Sequence, residues 1–275
     1  MIYVSYAELA KDIVEWSQQL PRNIDAFVAL PRSGVIPASM LALHRNVRLT
    51  TVDDFKAGRY FLGGYRDQVR SVKKVMVIDD SLLSGKSMND AANKLKGIKD
   101  VQILYGAVYV KPGVVKPGIH TFKQVEMPRI FEWNWLHHFW LQRTCMDIDG
   151  VLCRDPTNEE NDDGLRYRKF LHTVEPRHIP TVEVHTLVTS RLEQYRDDTV
   201  RWLHRHGVTY KNLIMHPAES AKARRKAGDH SKRKAQVYRD SHYQLFIESS
   251  QRQAEDIHAR TDKPVLCTDT GVFYS

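Results

Sequence analysis

The run Val75-Met-Val-Ile-Asp79-Asp80-Ser-Leu-Leu-Ser84-Gly85-Lys86-Ser87 sets two adjacent carboxylates just ahead of a short Ser/Gly turn. Four apolar residues precede the acids and read as a buried strand. The carboxylates then stand at its C-terminal end, where open α/β sheets bind ligands. The turn leads into a helix whose first amides and hydroxyls can hold a phosphate. Paired carboxylates accept hydrogen bonds from vicinal hydroxyls such as those of a ribose. Asp79 and Asp80 with Ser84, Gly85, Lys86 and Ser87 therefore match a ribose 5-phosphate. An acidic cap on an ordinary helix would explain the acid pair but not the whole combination. The spacing of a Walker A loop is absent.

A second constellation is Cys145-Met-Asp147-Ile-Asp149-Gly150-Val-Leu. It reads as a strand ending in two carboxylates that alternation turns the same way. Gly150 lets the chain bend sharply beneath a ligand. One carboxylate can attack phosphorus, the other can shuttle a proton to the leaving group, and both can help hold Mg²⁺. The competing reading is a strand end closed by an Asx turn.

These residues need sheets to carry them. After an opening helix capped by Ser5 and Glu8 and stopped by Pro21, apolar runs at Ala26–Leu30, Val47–Val52, Val75–Ile78 and Val101–Val110 read as buried strands. Helical segments lie around Val35–Leu43 and Ser87–Leu95. Lys111–Pro128 is rich in Pro and Gly and reads as irregular, and an aromatic cluster from Phe131 to Trp140 follows. The alternation then restarts. Thr144–Ile148, Val182–Val188, Asn212–Met215, Leu245–Ile247 and Pro264–Cys267 read as strands, and Leu192–Arg205, Lys232–Tyr238 and Ser250–Arg260 as helices. The expected fold class is α/β: two tandem Rossmann-like parallel-sheet domains, 1–140 and 141–275.

Composition narrows the class. The apolar fraction of 42% and charged fraction of 27% exclude wholesale disorder. No apolar run reaches the ~20 residues of a membrane span, and no signal peptide is apparent. Three cysteines without metal-ligand spacing argue against a disulfide framework and a structural zinc, and fit a cytoplasmic location. The net charge of +8, most of it in residues 1–140, favours anionic partners without choosing among nucleotides, pyrophosphates and nucleic acid.

The segment from Val75 to Ser87 resembles the binding motif for phosphoribosyl pyrophosphate (PRPP) in type I phosphoribosyltransferases. Ala29-Leu-Pro31-Arg32-Ser33-Gly34 is similar to that family's pyrophosphate loop. Asp53–Arg66, with Lys56, Arg59, Gly63, Gly64 and Arg66, sits where the family has its mobile catalytic loop. The resemblance covers residues 20–135 and implies a phosphoribosyltransferase fold. Asp79 and Asp80 would hold the ribose hydroxyls, Ser84–Ser87 the 5-phosphate, and Arg32–Gly34 the pyrophosphate and Mg²⁺. The aromatics at Phe131, Trp133 and Trp135 can stack a nucleobase, although core packing or an interface is the commoner use of such a cluster.

The segment around Asp147 resembles the first motif of the haloacid dehalogenase (HAD) superfamily. Leu187-Val188-Thr189-Ser190 is similar to its second motif, Lys234 to its third-motif lysine with Lys232 as rival, and Leu245–Ser249 to its fourth. The resemblance covers residues 142–275 and implies a phosphatase in which Asp147 is the nucleophile and Asp149 the general acid/base. Thr189 would bind the phosphoryl oxygens and Lys234 would neutralise charge. Asp147, Asp149 and Glu248 would hold Mg²⁺. The insertion Arg154–Pro180 is too short for a large cap.

Joined, the two resemblances imply a Mg²⁺-dependent bifunctional enzyme. It would transfer phosphoribosyl from PRPP to a nucleobase-like acceptor and hydrolyse a phosphomonoester, the 5-phosphate of the product being one candidate. The alternative is a polynucleotide end-processing phosphatase whose first domain senses PRPP or has lost its activity. The basic run Lys222–Lys234 would suit a nucleic acid, but charge runs are more often solvated helix faces. A non-catalytic PRPP-binding regulator is a third option. Self-association is left open.

Overall fold

A computed structural model of the chain describes residues 1–61, 71–114, 116–228 and 230–275. The chain divides into two compact units, Ile2–Trp133 and Asn134–Ser275 together with Met1.

The first unit is built on a five-stranded sheet. In chain order its elements are β1 (Ile2–Val4), α1 (Tyr6–Gln19), β2 (Ala26–Ala29), α2 (Val35–Arg45), β3 (Arg48–Thr51), α3 (Val52–Lys56), β4 (Lys74–Leu82), α4 (Lys86–Leu95), β5 (Gln102–Val110), β6 (Ile119–Gln124) and β7 (Arg129–Phe131). The sheet order is β3-β2-β4-β5-β6 and every pair is parallel. β1 and β7 form a separate parallel pair. Alternate residues of β2 and β4 feed two cores. Phe27, Ala29, Met76 and Ile78 pack with Leu9, Ile13 and Trp16 of α1 and Leu41 of α2. Ala26, Val28, Val75 and Val77 pack with Phe55 of α3 and with Met88, Ala91 and Leu95 of α4. Burial on both faces is why these strands read as continuous apolar runs.

The second unit has a six-stranded sheet, order β10-β9-β8-β11-β12-β13, parallel except for β13. Its elements are β8 (Thr144–Met146), α5 (Leu165–Thr173), β9 (Val184–Leu192), α6 (Arg196–Arg205), β10 (Tyr210–His216), α7 (Ala221–Ala227), α8 (His230–Arg239), β11 (Leu245–Glu248), α9 (Gln251–Thr261), β12 (Val265–Cys267) and β13 (Phe273–Tyr274). Ala235 and Tyr238 of α8 and Ala254 and Ile257 of α9 pack on Cys145, Val188, Phe246 and Val265. Among the described residues, no helix is long and apolar enough to cross a membrane.

Two expectations need correction. Lys111–Pro128 is not wholly irregular, because β6 lies within it. This edge strand hides only Ile119 and Phe122 in part, so no apolar run announces it. Val75–Ile78 is the first half of a longer strand that runs on through Asp79 and Asp80 to Leu82. The insertion after Arg154, read as too short for a large cap, holds the nine-residue α5, which buries Tyr167, Phe170 and Leu171.

The opening helix carries a complete capping box. The Glu8 amide donates to Ser5 Oγ at 3.1 Å, and the Ser5 amide donates to Glu8 Oε2 at 2.9 Å. Ser5→Ala should cost about 1 kcal/mol of the first unit's stability. Urea titration followed by tryptophan fluorescence checks this; an unchanged midpoint would remove the cap from the account.

Candidate functional sites

In the first unit, β2 and β4 are neighbours, so their C-terminal ends lie side by side. The turn after β2 is pinned there, with the Leu30 amide donating to the Ile78 carbonyl at 2.9 Å and the Gly34 amide to the Leu30 carbonyl at 3.1 Å. A Cβ on Gly34 would stand 2.5 Å from the Ile78 oxygen and 2.6 Å from the Leu30 oxygen, so only glycine fits. Arg32, Ser33, Asp79, Asp80, Ser84, Gly85, Lys86 and Ser87 all line one cleft of about 380 Å³. Gly34 lies outside the lining, against the strand. Gly85 caps α4, and Ser84 Oγ accepts from the Lys86 amide at 3.3 Å.

The two acids are not equivalent. Asp79 Oδ1 accepts from the Asp80 amide at 2.9 Å. Burial, reinforced by the Asp80 charge, pushes the Asp79 carboxyl up to about 8. Asp80, 7% exposed, accepts the Trp133 indole N–H at 2.7 Å. Trp133 stacks on Phe131 (centroids 4.8 Å apart, 7° between planes), and Phe131 stacks on Tyr109, whose hydroxyl donates to Asp12 at 2.8 Å. The aromatic cluster thus serves in part as core and in part as a support for Asp80. Trp135 lies in the other unit, edge-on to His178. Of the expected catalytic loop, Asp53 and Lys56 lie on α3, and Arg59 pairs with Asp54 at 2.6 Å. Gly63, Gly64 and Arg66 lie outside the described residues.

In the second unit, β8 lies between β9 and β11, and Met146 pairs with Ile247. The next residues, Asp147 and Glu248, therefore leave the sheet side by side. Lys234 of α8 bridges them. Its Nζ stands 2.6 Å from Asp147 Oδ2, 2.7 Å from Glu248 Oε2 and 3.0 Å from Gln253 Oε1. All three ionisable groups are buried. Burial pushes the Asp147 carboxyl up, to about 8; the Lys234 ammonium opposes this and the Glu248 and Asp149 charges add to it. Burial alone would discharge Lys234, but Asp147 and Glu248 overcome it and hold the ammonium charged above its ordinary value. Glu248 Oε1 accepts from the Ser249 and Ser250 amides, both at 3.2 Å.

Asp149 is gripped by Arg191, whose NH2 stands 2.7 Å and whose Nε stands 3.1 Å from Oδ1. Arg191 is wholly buried, and its guanidinium lies over Trp202. Gly150 turns the chain at φ +81°, beneath which Ser249 packs so closely that a Cβ would overlap it. Thr189 is buried, its hydroxyl accepting from the Arg191 amide at 3.1 Å, while Ser190 faces the cleft. Lys232 lines a neighbouring groove rather than reaching Asp147. The cleft of about 230 Å³ holds Asp147, Asp149, Asp155, Ser190, Lys234 and Gln253, joined by Arg224 and His230. Sequence reasoning missed Arg191 and Gln253, which nothing in their spacing marks, and gave Ser190 only its place at the end of the second-motif run.

Asp147, Asp149 and Glu248 are the hard oxygen donors that Mg²⁺ takes. As placed, they do not offer it one centre. The cation between Asp147 and Glu248 is Lys234, and Asp149 is turned to Arg191. Among the described residues, no group of three or more His, Cys, Asp or Glu side chains is arranged to hold a metal ion.

No protein-family model matches the chain, and no curated protein sequence is similar to it. Solved structures are similar to it in part. The Helicobacter pylori xanthine-guanine-hypoxanthine phosphoribosyltransferase covers 49% of this chain and 94% of its own length, at 18% identity and TM-score 0.39. A purine phosphoribosyltransferase from Pyrococcus horikoshii covers 48% and 92%, at 22% identity and TM-score 0.36. A chain of a Pnkp1/Rnl/Hen1 complex covers 97% and 94%, at 14% identity and TM-score 0.29. Likenesses this weak say nothing of the chemistry, which the residues themselves must carry.

Two predictions follow from the buried charges. Asp79, raised by burial and by Asp80, binds its proton more tightly folded than unfolded, so it withdraws stability as pH rises from the usual carboxylate range through about 8. Asp79→Asn carries no such charge. Its thermal midpoint should gain on the wild type over that window and keep the gain above it; parallel curves would contradict the shift. Lys234→Met leaves two buried carboxylates without their cation and should cost about 3–5 kcal/mol, read as a fall in the second unit's unfolding midpoint.

Proposed function

We propose that the chain carries two enzymatic sites: a phosphoribosyltransferase site in the first unit and a phosphomonoesterase site in the second. The observation that carries the second is the bridge from Lys234 to Asp147 and Glu248 at the C-terminal edge of a parallel sheet, inside a cleft shared with Asp149. A carboxylate held beside a fixed cation is oriented to attack phosphorus. The bond from Asp147 oxygen to phosphorus forms as the bond from phosphorus to the ester oxygen breaks, and a protonated Asp149 carboxyl gives that oxygen its proton. Lys234 then balances the charge gathered on the aspartyl-phosphate. Asp149, aimed by Arg191, is placed to take a proton from the water that hydrolyses this intermediate, returning Asp147 and releasing phosphate.

The first reading rests on the single cleft that gathers Asp79, Asp80, the Ser84–Ser87 turn and the Arg32–Ser33 loop. The α4 N-terminus suits the 5-phosphate, the acids suit the ribose hydroxyls, and Arg32 suits the departing pyrophosphate. A nucleobase-like acceptor would displace that pyrophosphate at the anomeric carbon.

The sites should separate cleanly. Asp147→Asn should lower phosphate release from an aryl phosphate by several orders of magnitude and spare PRPP binding. The Asp79→Asn, Asp80→Asn double variant should do the reverse, measured by calorimetry with PRPP. Substantial phosphate release by Asp147→Asn would refute the nucleophile, and unchanged PRPP affinity in the double variant would refute the first site. Parallel assays with magnesium and with EDTA decide whether the expected ion takes part.

A further inference from the structure

Arg224 is a buried cation that no carboxylate of the described residues answers. It is 8% exposed, and among the described residues it forms no ion pair and its Nε finds no acceptor. Its Nη1 donates to the Ser190 main-chain carbonyl at 2.7 Å. That bond fixes the guanidinium without neutralising it. The contrast with Arg191, which spends its fork on Asp149, is direct. An unpaired buried charge is costly and is not kept for stability. Arg224 also lines the cleft that holds Asp147.

Its position is built. Ser220 caps α7 by accepting from the Ala223 amide at 3.2 Å, and Asp163 of the insertion accepts from the Ala221 amide at 2.8 Å. Ala221 and Arg224, three residues apart, share the buried face of that helix. His230 stands beside it, its Nδ1 2.8 Å from Ser190 Oγ. Thus both basic groups hang on Ser190, the residue after Thr189. His230 and Gln253 also line a second groove of about 720 Å³ between α8 and α9, with Lys232 and Arg252, so the two spaces adjoin. Of the acids there, Asp256 is paired with Arg260 at 2.7 Å. In the cleft, Asp147 and Asp149 are spent on Lys234 and Arg191, and burial with the Asp149 and Glu248 charges pushes Asp155 up, towards its uncharged form.

We propose that Arg224, with His230 beside it, forms a second anion subsite in the cleft of the reacting phosphate, and that the substrate of the second unit carries a further phosphate near the one removed. The guanidinium fork suits a phosphate oxygen pair. This deepens the phosphomonoesterase reading and rests on it. It favours the end of a nucleotide chain over a mononucleotide product. The shared chemistry is the second phosphate, which either a nucleoside bisphosphate or a terminally phosphorylated oligonucleotide supplies.

The test compares kcat/KM for four substrates of the full-length protein: an aryl phosphate, adenosine 3′-monophosphate, adenosine 3′,5′-bisphosphate and a short oligonucleotide bearing a 3′-phosphate. The 5′-monophosphate series is run alongside. Hydrolysis of the aryl phosphate tests the underlying reading alone. If it occurs, the preference for two-phosphate over one-phosphate substrates should be about tenfold or more and should shrink with added salt. Arg224→Gln should collapse that ratio towards one, and Arg224→Lys should restore part of it. A bisphosphate matched by the oligonucleotide means that the second phosphate alone is read; a further gain for the oligonucleotide assigns the adjoining groove to the chain. A wild-type ratio near one, or a ratio untouched in folded Arg224→Gln protein, overturns the subsite. Because the wild-type ratio decides by itself, a variant that fails to fold does not protect the proposal.

Discussion

Lys234 is the charge on which the functional edge of the second unit depends. Parallel pairing of β8 with β11 forces Asp147 and Glu248 to emerge next to each other, away from water. Two buried carboxylates so placed repel, and each loses its hydration. One ammonium, 2.6 and 2.7 Å away, answers both. It comes from α8, the helix whose Ala235 and Tyr238 pack on the sheet, so docking that helix and completing the charge balance are one event. Arg191 does the same for Asp149 from within β9. The same pairings that make the acids tolerable in the folded state also aim them.

The first unit meets a like problem with different means. Asp79 and Asp80 are also neighbouring acids at a strand end, yet no ion pair to either is formed among the described residues. Asp79 is eased by a proton, held because burial and the Asp80 charge disfavour ionisation. Asp80 is eased by the neutral Trp133 N–H. A cleft balanced in this way keeps less negative charge on its acids while retaining oxygens that accept from hydroxyls. For the phosphoribosyl ligand proposed above, each unpaired carboxylate charge would add repulsion against its phosphates. The column Trp133–Phe131–Tyr109 makes this arrangement rigid, and Tyr109 passes it on to Asp12 of α1.

What could be read in the sequence was what is local. Apolar runs such as Val75–Ile78 and Leu245–Ile247 marked buried parallel strands, because both their faces are covered, and acids at the ends of such runs marked the clefts. β6 escaped because an edge strand needs few apolar residues. β1 and β7, three residues each, carry too little pattern to be seen. The missed contacts have another cause. Arg191 lies 42 positions from Asp149, Trp133 53 from Asp80, and Arg224 34 from Ser190. Each contact is made by topology, and neither composition nor spacing records it.

The basic run Lys222–Lys234 shows why charge along a sequence is a poor measure of charge at a site. Lys222 and Lys226 are exposed, as a solvated helix face would have them. Lys234, in the same run, is 2% exposed and neutralised by two carboxylates, so it adds nothing to the outward field. Arg224 is nearly as buried and forms no ion pair among the described residues. A charge acts on a ligand in proportion to its desolvation and to the absence of a partner, since water and counter-ions screen the exposed ones. By that measure a buried guanidinium held on a backbone carbonyl outweighs the surface lysines around it.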